Sequence, residues 1–183
     1  ERANRAECRR RAKVINFGIV YGLSAFGLAQ RLGISREDAQ AFIDAYFERY
    51  KGVRIWLDRT IEEARATGMV RTLFGRVRPI PDINSKDYAV RQFAERTAVN
   101  SPIQGTAADI IKIAMIRIWK TLQDKGLSSK ILLQVHDELV LESPEKEVEE
   151  AQEIVRREME SAVSLNVPLR VDMGLGNSWM DVK

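Results

Sequence analysis

The spacing of apolar and polar residues near the start of the chain predicts a helix with two unlike sides. Over residues 8–21, Ala12, Ile15 and Ile19 recur at helical intervals and form an apolar stripe. The opposite side carries a second stripe at steps of three and four, with Arg9 beside it: Arg10, Lys13, Phe17 and Tyr21. Aromatic residues normally join the buried side of a helix. Rings that share a side with cations therefore indicate a surface suited to binding.

The same periodicity predicts four further helices, over residues 35–52, 53–67, 86–99 and 106–124. Ser35 begins the first of them, and Asp38 three residues on gives a weaker form of the capping box. Gly68 and Gly126 are typical of positions just past a helix end. Pro102 is expected to end or kink the helix between the last two ranges, because proline has no backbone N–H to donate.

Strand patterns occupy the second part of the chain. Two short strands are predicted around Gly75, over 69–74 and 76–80, and a hairpin is predicted over 130–142 with His136, Asp137 and Glu138 at its tip. An acidic helix follows from Ser143 to about 163, and the alternation of Val167, Leu169, Val171 and Met173 predicts a last strand. We therefore expect an α+β fold with long helices and a short antiparallel sheet, divided near residue 75.

Composition narrows the class of protein. The 183 residues are 45% hydrophobic and 30% charged, which is an ordinary globular composition. No apolar run approaches the roughly 20 residues that span a bilayer, so no membrane partner is expected. The single cysteine, Cys8, excludes an internal disulfide framework and a cysteine-based zinc site. The cytoplasm is the default compartment.

The distribution of charge says more than the net charge of +3. Residues 1–13 hold six basic and two acidic residues, residues 69–80 hold three arginines and no acid, and the acids gather at 142–160. Basic patches at defined places could follow a polyanion along one side of the molecule. A solvated basic surface with no ligand explains the same pattern.

Two clusters suggest phosphoryl chemistry. Arginine and lysine on one helix side repel each other, and a bound polyphosphate would relieve that repulsion, with Lys13 also able to donate a proton. At the hairpin tip, Asp137 is the better single ligand for Mg²⁺, since neighbouring strand residues such as Glu138 point to opposite sides. An ordinary polar turn and a structural His136 are the alternatives.

A third group recurs every four residues around Pro102. Arg96, Asn100 and Gln104 stay polar in a region otherwise rich in alanine and isoleucine. Amide side chains can donate to the acceptors that every base pair presents in the minor groove, so such contacts would be nearly independent of sequence. A polar surface stripe is the alternative.

These segments resemble DNA polymerase family A, the DNA polymerase I family. Residues 9–22 resemble its fingers motif, and Gln134-Val135-His136-Asp137-Glu138 resembles its third palm motif. Residues 72–76 and 100–109 also match in order and spacing. The resemblance implies a helical fingers subdomain over residues 1–75 and a partial palm subdomain over 76–183 that carries the hairpin 130–142.

The resemblance also implies a role for each matching residue. Arg9 and Lys13 would hold the triphosphate of a dNTP, Phe17 would pack on its sugar, and Tyr21 would stack near the templating base. Asp137 would bind Mg²⁺, with Glu138 supporting it and Lys13 as a general acid, in a reaction that uses two ions. The primer–template would contact a larger set: Arg10, Arg96, Asn100, Gln104, Gln134 and His136.

One departure from the family pattern affects the expected activity. The family carries another catalytic aspartate in an Asp-Tyr-Ser motif before the fingers helix, and Asp87-Tyr88 lies too late in this chain to replace it. We therefore expect these residues alone to be inactive, with the N-terminal palm and thumb portion of the polymerase as a further partner, in a bacterial, nucleoid-associated setting. The rival interpretations are a non-catalytic nucleic-acid-binding module, a metal-dependent nuclease and an inert structural fragment.

Overall fold

The computed structural model describes residues 2–182, and the side chains of residues 5–181. Helices dominate this part of the chain, and two small antiparallel sheets complete it, so the predicted α+β class is confirmed. The helices are α1 (Arg2–Val20), α2 (Ala25–Leu32), α3 (Arg36–Arg49), α4 (Lys51–Thr67), α5 (Tyr88–Asp124) and α6 (Val148–Glu160). The strands are β1 (Met69–Arg71), β2 (Val77–Pro79), β3 (Lys130–Val135) and β4 (Glu138–Glu142).

The chain divides into two compact units, and the division falls within α5. The first unit ends at Ile103 and the second begins at Gln104. The expected division near residue 75, between a helical fingers part and a strand-containing palm part, stays a prediction. None of the described helices combines the length and the apolar character that crossing a membrane requires.

Local signals fix the helix ends of the first unit. The Ser35 hydroxyl accepts from the Asp38 amide at 3.0 Å and donates to the Asp38 carboxylate at 2.8 Å, which confirms the predicted start of this helix. Gly68 adopts a left-handed φ of 71° and ends α4, as predicted. Helix α2 was not predicted; Ser24 caps it, and it is only 8 residues long.

The core of the first unit joins α4, the β1–β2 hairpin and α5. Its buried members are small or branched apolar residues: Ala64, Val70, Ile80, Ile83, Ala94 and Ala98. Burial of such side chains is the main stabilising contribution in a domain of this size. The consequence for function is that the part of α5 before residue 103 is anchored to this core.

Pro102 does not interrupt α5, which runs without a break from Tyr88 to Asp124. The predicted end of one helix and start of another around this proline is therefore wrong. Proline removes only its own N–H from the ladder, and the neighbouring Ser101 hydroxyl donates to the Thr97 carbonyl at 2.5 Å. The helix is buried against a core before the proline, at Ala94 and Ala98, and after it, at Ile118 and Leu122. These tertiary contacts override the low helix propensity of proline.

The second unit is built around the β3–β4 hairpin and two helices. A buried cluster of Ile118 and Leu122 from α5 with Ile154 and Val155 from α6 forms its core, and Ile131, Leu139 and Leu141 of the hairpin pack against it. The Leu127 amide donates to the Leu122 carbonyl at 3.0 Å, and Gly126 has a φ of 68°, which closes the end of α5 as predicted.

The predicted last strand does not form. Residues 168–176 lie outside regular secondary structure, although Leu169, Val171 and Met173 are half-buried and the residues between them are exposed. The predicted strand is therefore wrong, and the alternation corresponds to partial burial only from Leu169 onward, since Val167 is 72% exposed. The Val171 amide donates to the Glu160 carboxylate at 3.1 Å, so a side chain takes the place of a strand partner.

A buried carboxylate closes the open end of the β3–β4 hairpin. Glu147 is only 8% exposed, and its Oε2 accepts from the backbone amides of Ser128 and Ser129 at 2.8 and 3.0 Å and from the Ser129 hydroxyl at 2.9 Å. The Ser129 and Ser143 hydroxyl oxygens are 2.8 Å apart, so the residue before β3 is tied to the residue after β4. Burial would raise the pKa of Glu147, but these hydrogen bonds hold it below its ordinary value.

We expect Glu147→Gln to destabilise the chain in a pH-dependent way. Because the pKa is lowered by folding, the charged carboxylate stabilises the fold above the ordinary glutamate value of 4.5, and that contribution disappears as the pH falls through the lower folded pKa. Thermal unfolding followed by circular dichroism should show a gap between the two proteins at neutral pH that narrows below 4.5.

The matched control is Glu149→Gln, which removes an exposed carboxylate from the first turn of α6. A gap that stays constant with pH, or an equal loss for both variants, would contradict the role assigned to Glu147.

Candidate active-site residues

Helix α1 displays the predicted cationic and aromatic side to solvent. Arg9, Lys13, Phe17 and Tyr21 follow at intervals of four, which is a rise of about 6 Å per step along a helix. The two basic residues are exposed and Phe17 is 52% exposed, whereas Ile19 on the other side is 3% exposed. Of the predicted apolar stripe, Ile19 is buried, Ile15 is half-buried and Ala12 is exposed, so the helix is anchored mainly near its C-terminal end.

The two rings of this stripe contact each other. Phe17 and Tyr21 stack with centroids 6.0 Å apart and an angle of 27° between their planes. Tyr21 follows the last residue of α1, and its amide still donates to the Phe17 carbonyl at 3.0 Å. The rings thus form one continuous aromatic surface at the end of the cationic stripe.

Glu7 is a member of this helix that the sequence interpretation did not use. Its carboxylate accepts two hydrogen bonds from the Arg10 guanidinium, at 2.8 Å from Nε and 2.7 Å from Nη2. The hydrogen bond from Arg10 lowers the pKa of Glu7, and the same contact raises the pKa of Arg10. The spacing of three residues on a helix was the signal that could have revealed the pair.

Arg96 of α5 lies beside the turn that follows α1. Gly22 has a φ of 74°, and a Cβ added there would be 3.1 Å from the Arg96 Cγ. Glycine is therefore required both by the left-handed backbone and by the approach of the arginine stem. This contact brings Arg96 to the aromatic end of the α1 stripe.

The amide residues of α5 have unequal surroundings. Asn100 is half-buried, and its Oδ1 is buried without a hydrogen-bond partner in the described part of the chain. A buried polar atom left unsatisfied costs stability, and such atoms concentrate where a ligand or water completes the bond. Gln104 is exposed and is the first residue of the second unit.

A two-residue turn presents Asp137 at the tip of the hairpin. Val135 pairs directly with Glu138, so only His136 and Asp137 connect the strands. Glu138 was expected at the tip and is instead the first residue of β4. His136 has a φ of 54°, which is strained for a residue with a side chain, and the side-chain Nε2 of Gln134 donates to the His136 carbonyl at 2.8 Å.

Both carboxylates of the hairpin face accessible space. Asp137 and Glu138 are exposed, and they line a cleft of about 750 Å³ together with residues of α6 and the segment 170–179. Within residues 2–182, three or more His, Cys, Asp or Glu side chains do not gather around one metal position. One or two carboxylates completed by water and substrate phosphates is nevertheless the usual environment of Mg²⁺, and this donor set fits it.

The structure thus distributes the candidate residues between the two units. The first unit brings the α1 stripe and Arg96 together, with Asn100 one turn further along α5. The second unit holds the remaining candidates: Gln104, Gln134, His136, Asp137 and Glu138.

Comparison with known proteins places these residues in a family. The profile described as DNA polymerase family A matches residues 1–181. DNA polymerase I from Streptococcus pneumoniae is 54% identical over 178 residues, which cover 97% of this chain and 20% of that protein. DNA polymerase I from Bacillus subtilis is 51% identical over 175 residues, which cover 96% and 20%.

A solved structure agrees with this result. The POL domain of Pol1 from M. smegmatis, in complex with DNA primer-template and dNTP, matches with a TM-score of 0.93 and 49% identity, covering 96% of this chain and 31% of that one. The chain spans about a fifth of the length of the DNA polymerase I relatives it matches. A profile match over nearly the whole chain and identities above 50% show that the chain belongs to DNA polymerase family A.

Proposed function

We propose that this chain contributes the nucleotide-binding helix and a metal-binding carboxylate to a DNA-directed DNA polymerase, which transfers nucleotides from dNTPs to a primer 3′-hydroxyl. The observation that carries the proposal is the row of residues at intervals of four along α1 and its following turn, where the exposed Arg9 and Lys13 lead into the stacked rings of Phe17 and Tyr21. The family membership agrees with it. In this proposal residues 1–75 serve as fingers and 76–183 as part of the palm.

The cationic part of the stripe suits a triphosphate. Arg9 offers a planar guanidinium that can contact two phosphate oxygens, and Lys13 offers a point charge one turn further on. Both side chains are exposed, so they could reach a ligand without rearrangement of the core. As charge develops on the departing pyrophosphate, Lys13 would stabilise it and donate a proton.

The aromatic part of the stripe suits the nucleoside. Phe17 lies one turn beyond Lys13 and would pack on the sugar, and Tyr21 lies one turn further and would stack near the templating base. Because the two rings stack on each other, each helps to hold the other in position. Arg96, beside Gly22, would contact the primer–template at the same end.

The hairpin would hold Mg²⁺ through Asp137, with Glu138 close by. A bound Mg²⁺ would supply positive charge for the triphosphate and for the attacking hydroxyl, in the two-ion pattern that the family resemblance implies. This chain contributes one exposed carboxylate on a two-residue turn. Because the turn is short, the paired strands hold the carboxylate in a defined position. Gln134 and His136 stand on the same turn and would contact the primer–template.

We expect Asp137→Asn to abolish nucleotide incorporation and to leave primer–template binding largely intact. In this proposal one carboxylate holds the metal that stabilises the transition state by several kcal/mol. The single-turnover rate should therefore fall by about a thousandfold or more. The measurement is primer extension by a chimaera in which this sequence replaces the matching part of a DNA polymerase I. Asp124→Asn, an exposed residue at the end of α5, is the control; equal losses of binding and rate would count against the metal role.

We expect Phe17→Tyr to ease the incorporation of dideoxynucleotides. The added hydroxyl would sit where the sugar packs and could replace the missing 3′-hydroxyl as a hydrogen-bond partner. Competition between dNTP and dideoxynucleotide in the same chimaera measures the effect, with Phe42→Tyr on α3 as the control. Unchanged discrimination would refute the position assigned to Phe17.

We expect Gly22→Ala to weaken primer–template binding more than Gly33→Ala does. Both glycines have left-handed backbones, with φ of 74° and 65°, so both variants should lose about 1–2 kcal/mol of stability. Only the Cβ at residue 22 would displace the Arg96 stem, since nothing lies within 4 Å of the one at residue 33. Fluorescence anisotropy with labelled DNA compares the affinities of the two variants. Equal affinities would contradict the contact proposed between Arg96 and the primer–template.

A further inference from the structure

Glu7 is the acidic residue of a helix that is otherwise strongly basic. Helix α1 carries one acid against six basic residues: Arg2, Arg5, Arg9, Arg10, Arg11 and Lys13. Its carboxylate could have been placed near several of these, and it takes both of its hydrogen bonds from Arg10. The pair leaves the triphosphate-binding candidates Arg9 and Lys13 outside the contact.

The geometry of the pair imitates the way a guanidinium binds a phosphate. Nε and Nη2 of Arg10 each donate to a different carboxylate oxygen, at 2.8 and 2.7 Å. The same pair of donors would engage two oxygens of a DNA phosphate. Arg10 therefore cannot hold Glu7 and a phosphate with these atoms at the same time.

We propose that Glu7 is an internal competitor of the DNA backbone, which holds the Arg10 guanidinium until a phosphate displaces it. This inference rests on the contact between Arg10 and primer–template DNA that the family resemblance implies, and adds a residue that tunes it. Glu7 acts through Arg10 and is thus a positioning residue rather than a catalytic one.

The exposure of the pair makes the exchange reversible. The side chains of Arg10 and Glu7 are 56% and 50% exposed, and exposed ion pairs contribute little to stability because water screens them. Breaking the pair therefore costs little, and a phosphate can replace the carboxylate. By the same argument, Glu7 lowers DNA affinity by no more than about fivefold, which suits a device that tunes binding and does not block it.

The experiment is a double-mutant cycle on DNA affinity. We would measure binding of labelled primer–template by anisotropy across a salt series, for the chimaera described above and for its Glu7→Gln, Arg10→Gln and double variants. Glu48→Gln on α3 makes the same charge change at an exposed position away from α1 and serves as the control. Circular dichroism checks that all the variants retain their helix content.

We expect Glu7→Gln to bind about two- to fivefold more tightly than the control variant, with a steeper salt dependence, by up to about one unit of slope. In the Arg10→Gln background the gain should shrink to that of the control. A Glu7→Gln affinity equal to that of the control, or a gain that persists without Arg10, would overturn the inference. An Arg10→Gln variant that binds the primer–template as tightly as the parent protein would also overturn the inference, because it would remove the DNA contact assigned to Arg10; the proposed function, which rests on Lys13 and Asp137, would be left untouched.

Discussion

The buried carboxylate of Glu147 is the interaction on which the second unit depends. An isolated two-stranded hairpin is marginal in water, and this one must hold its tip in a strained conformation at His136. Glu147 closes the opposite end by collecting three donors at Ser128 and Ser129, and the hydroxyl contact with Ser143 ties in the second strand. The apolar side of the hairpin then packs on α5 and α6, and Asp137 is left exposed at the tip.

The first unit solves a different problem, which is to keep a row of like charges accessible. Most basic side chains of α1 stay in solvent, where repulsion is weakest, and the helix is attached mainly through apolar positions such as Ile19. Arg96 reaches the end of the stripe because Gly22 lets the backbone turn tightly beside its stem. Charge, stacking and a tight turn thus converge at one end of a single helix.

Local signals were sufficient for much of this structure. The cap at Ser35, the helix end at Gly68 and the hairpin around Asp137 each follow from chemistry within a few residues, and each was predicted. The predictions were wrong where groups distant in sequence determine the local structure. Val171 alternates like a strand residue, but its amide is taken by the Glu160 carboxylate. Pro102 should disrupt α5, but packing on either side maintains the helix.

The candidate residues show the same division. The exposed stripe of α1 could be identified from periodicity, since a helix fixes which residues share a side. The pairing of Arg10 with Glu7 follows from their spacing of three residues on a helix, which the summed charge of the segment does not reveal. The approach of Arg96 to Gly22 joins positions more than seventy residues apart, and no pattern within either segment encodes it.

Replacement of Lys13 tests the central claim most directly, because the account gives this one residue both triphosphate binding and proton donation. In the chimaera, single-turnover primer extension by Lys13→Gln would be compared with that by Lys112→Gln, an exposed lysine of α5. The account predicts a loss of about a hundredfold or more for Lys13→Gln alone, as expected when a general acid is removed. Equal rates for the two variants would contradict the assignment of α1 as the nucleotide-binding helix.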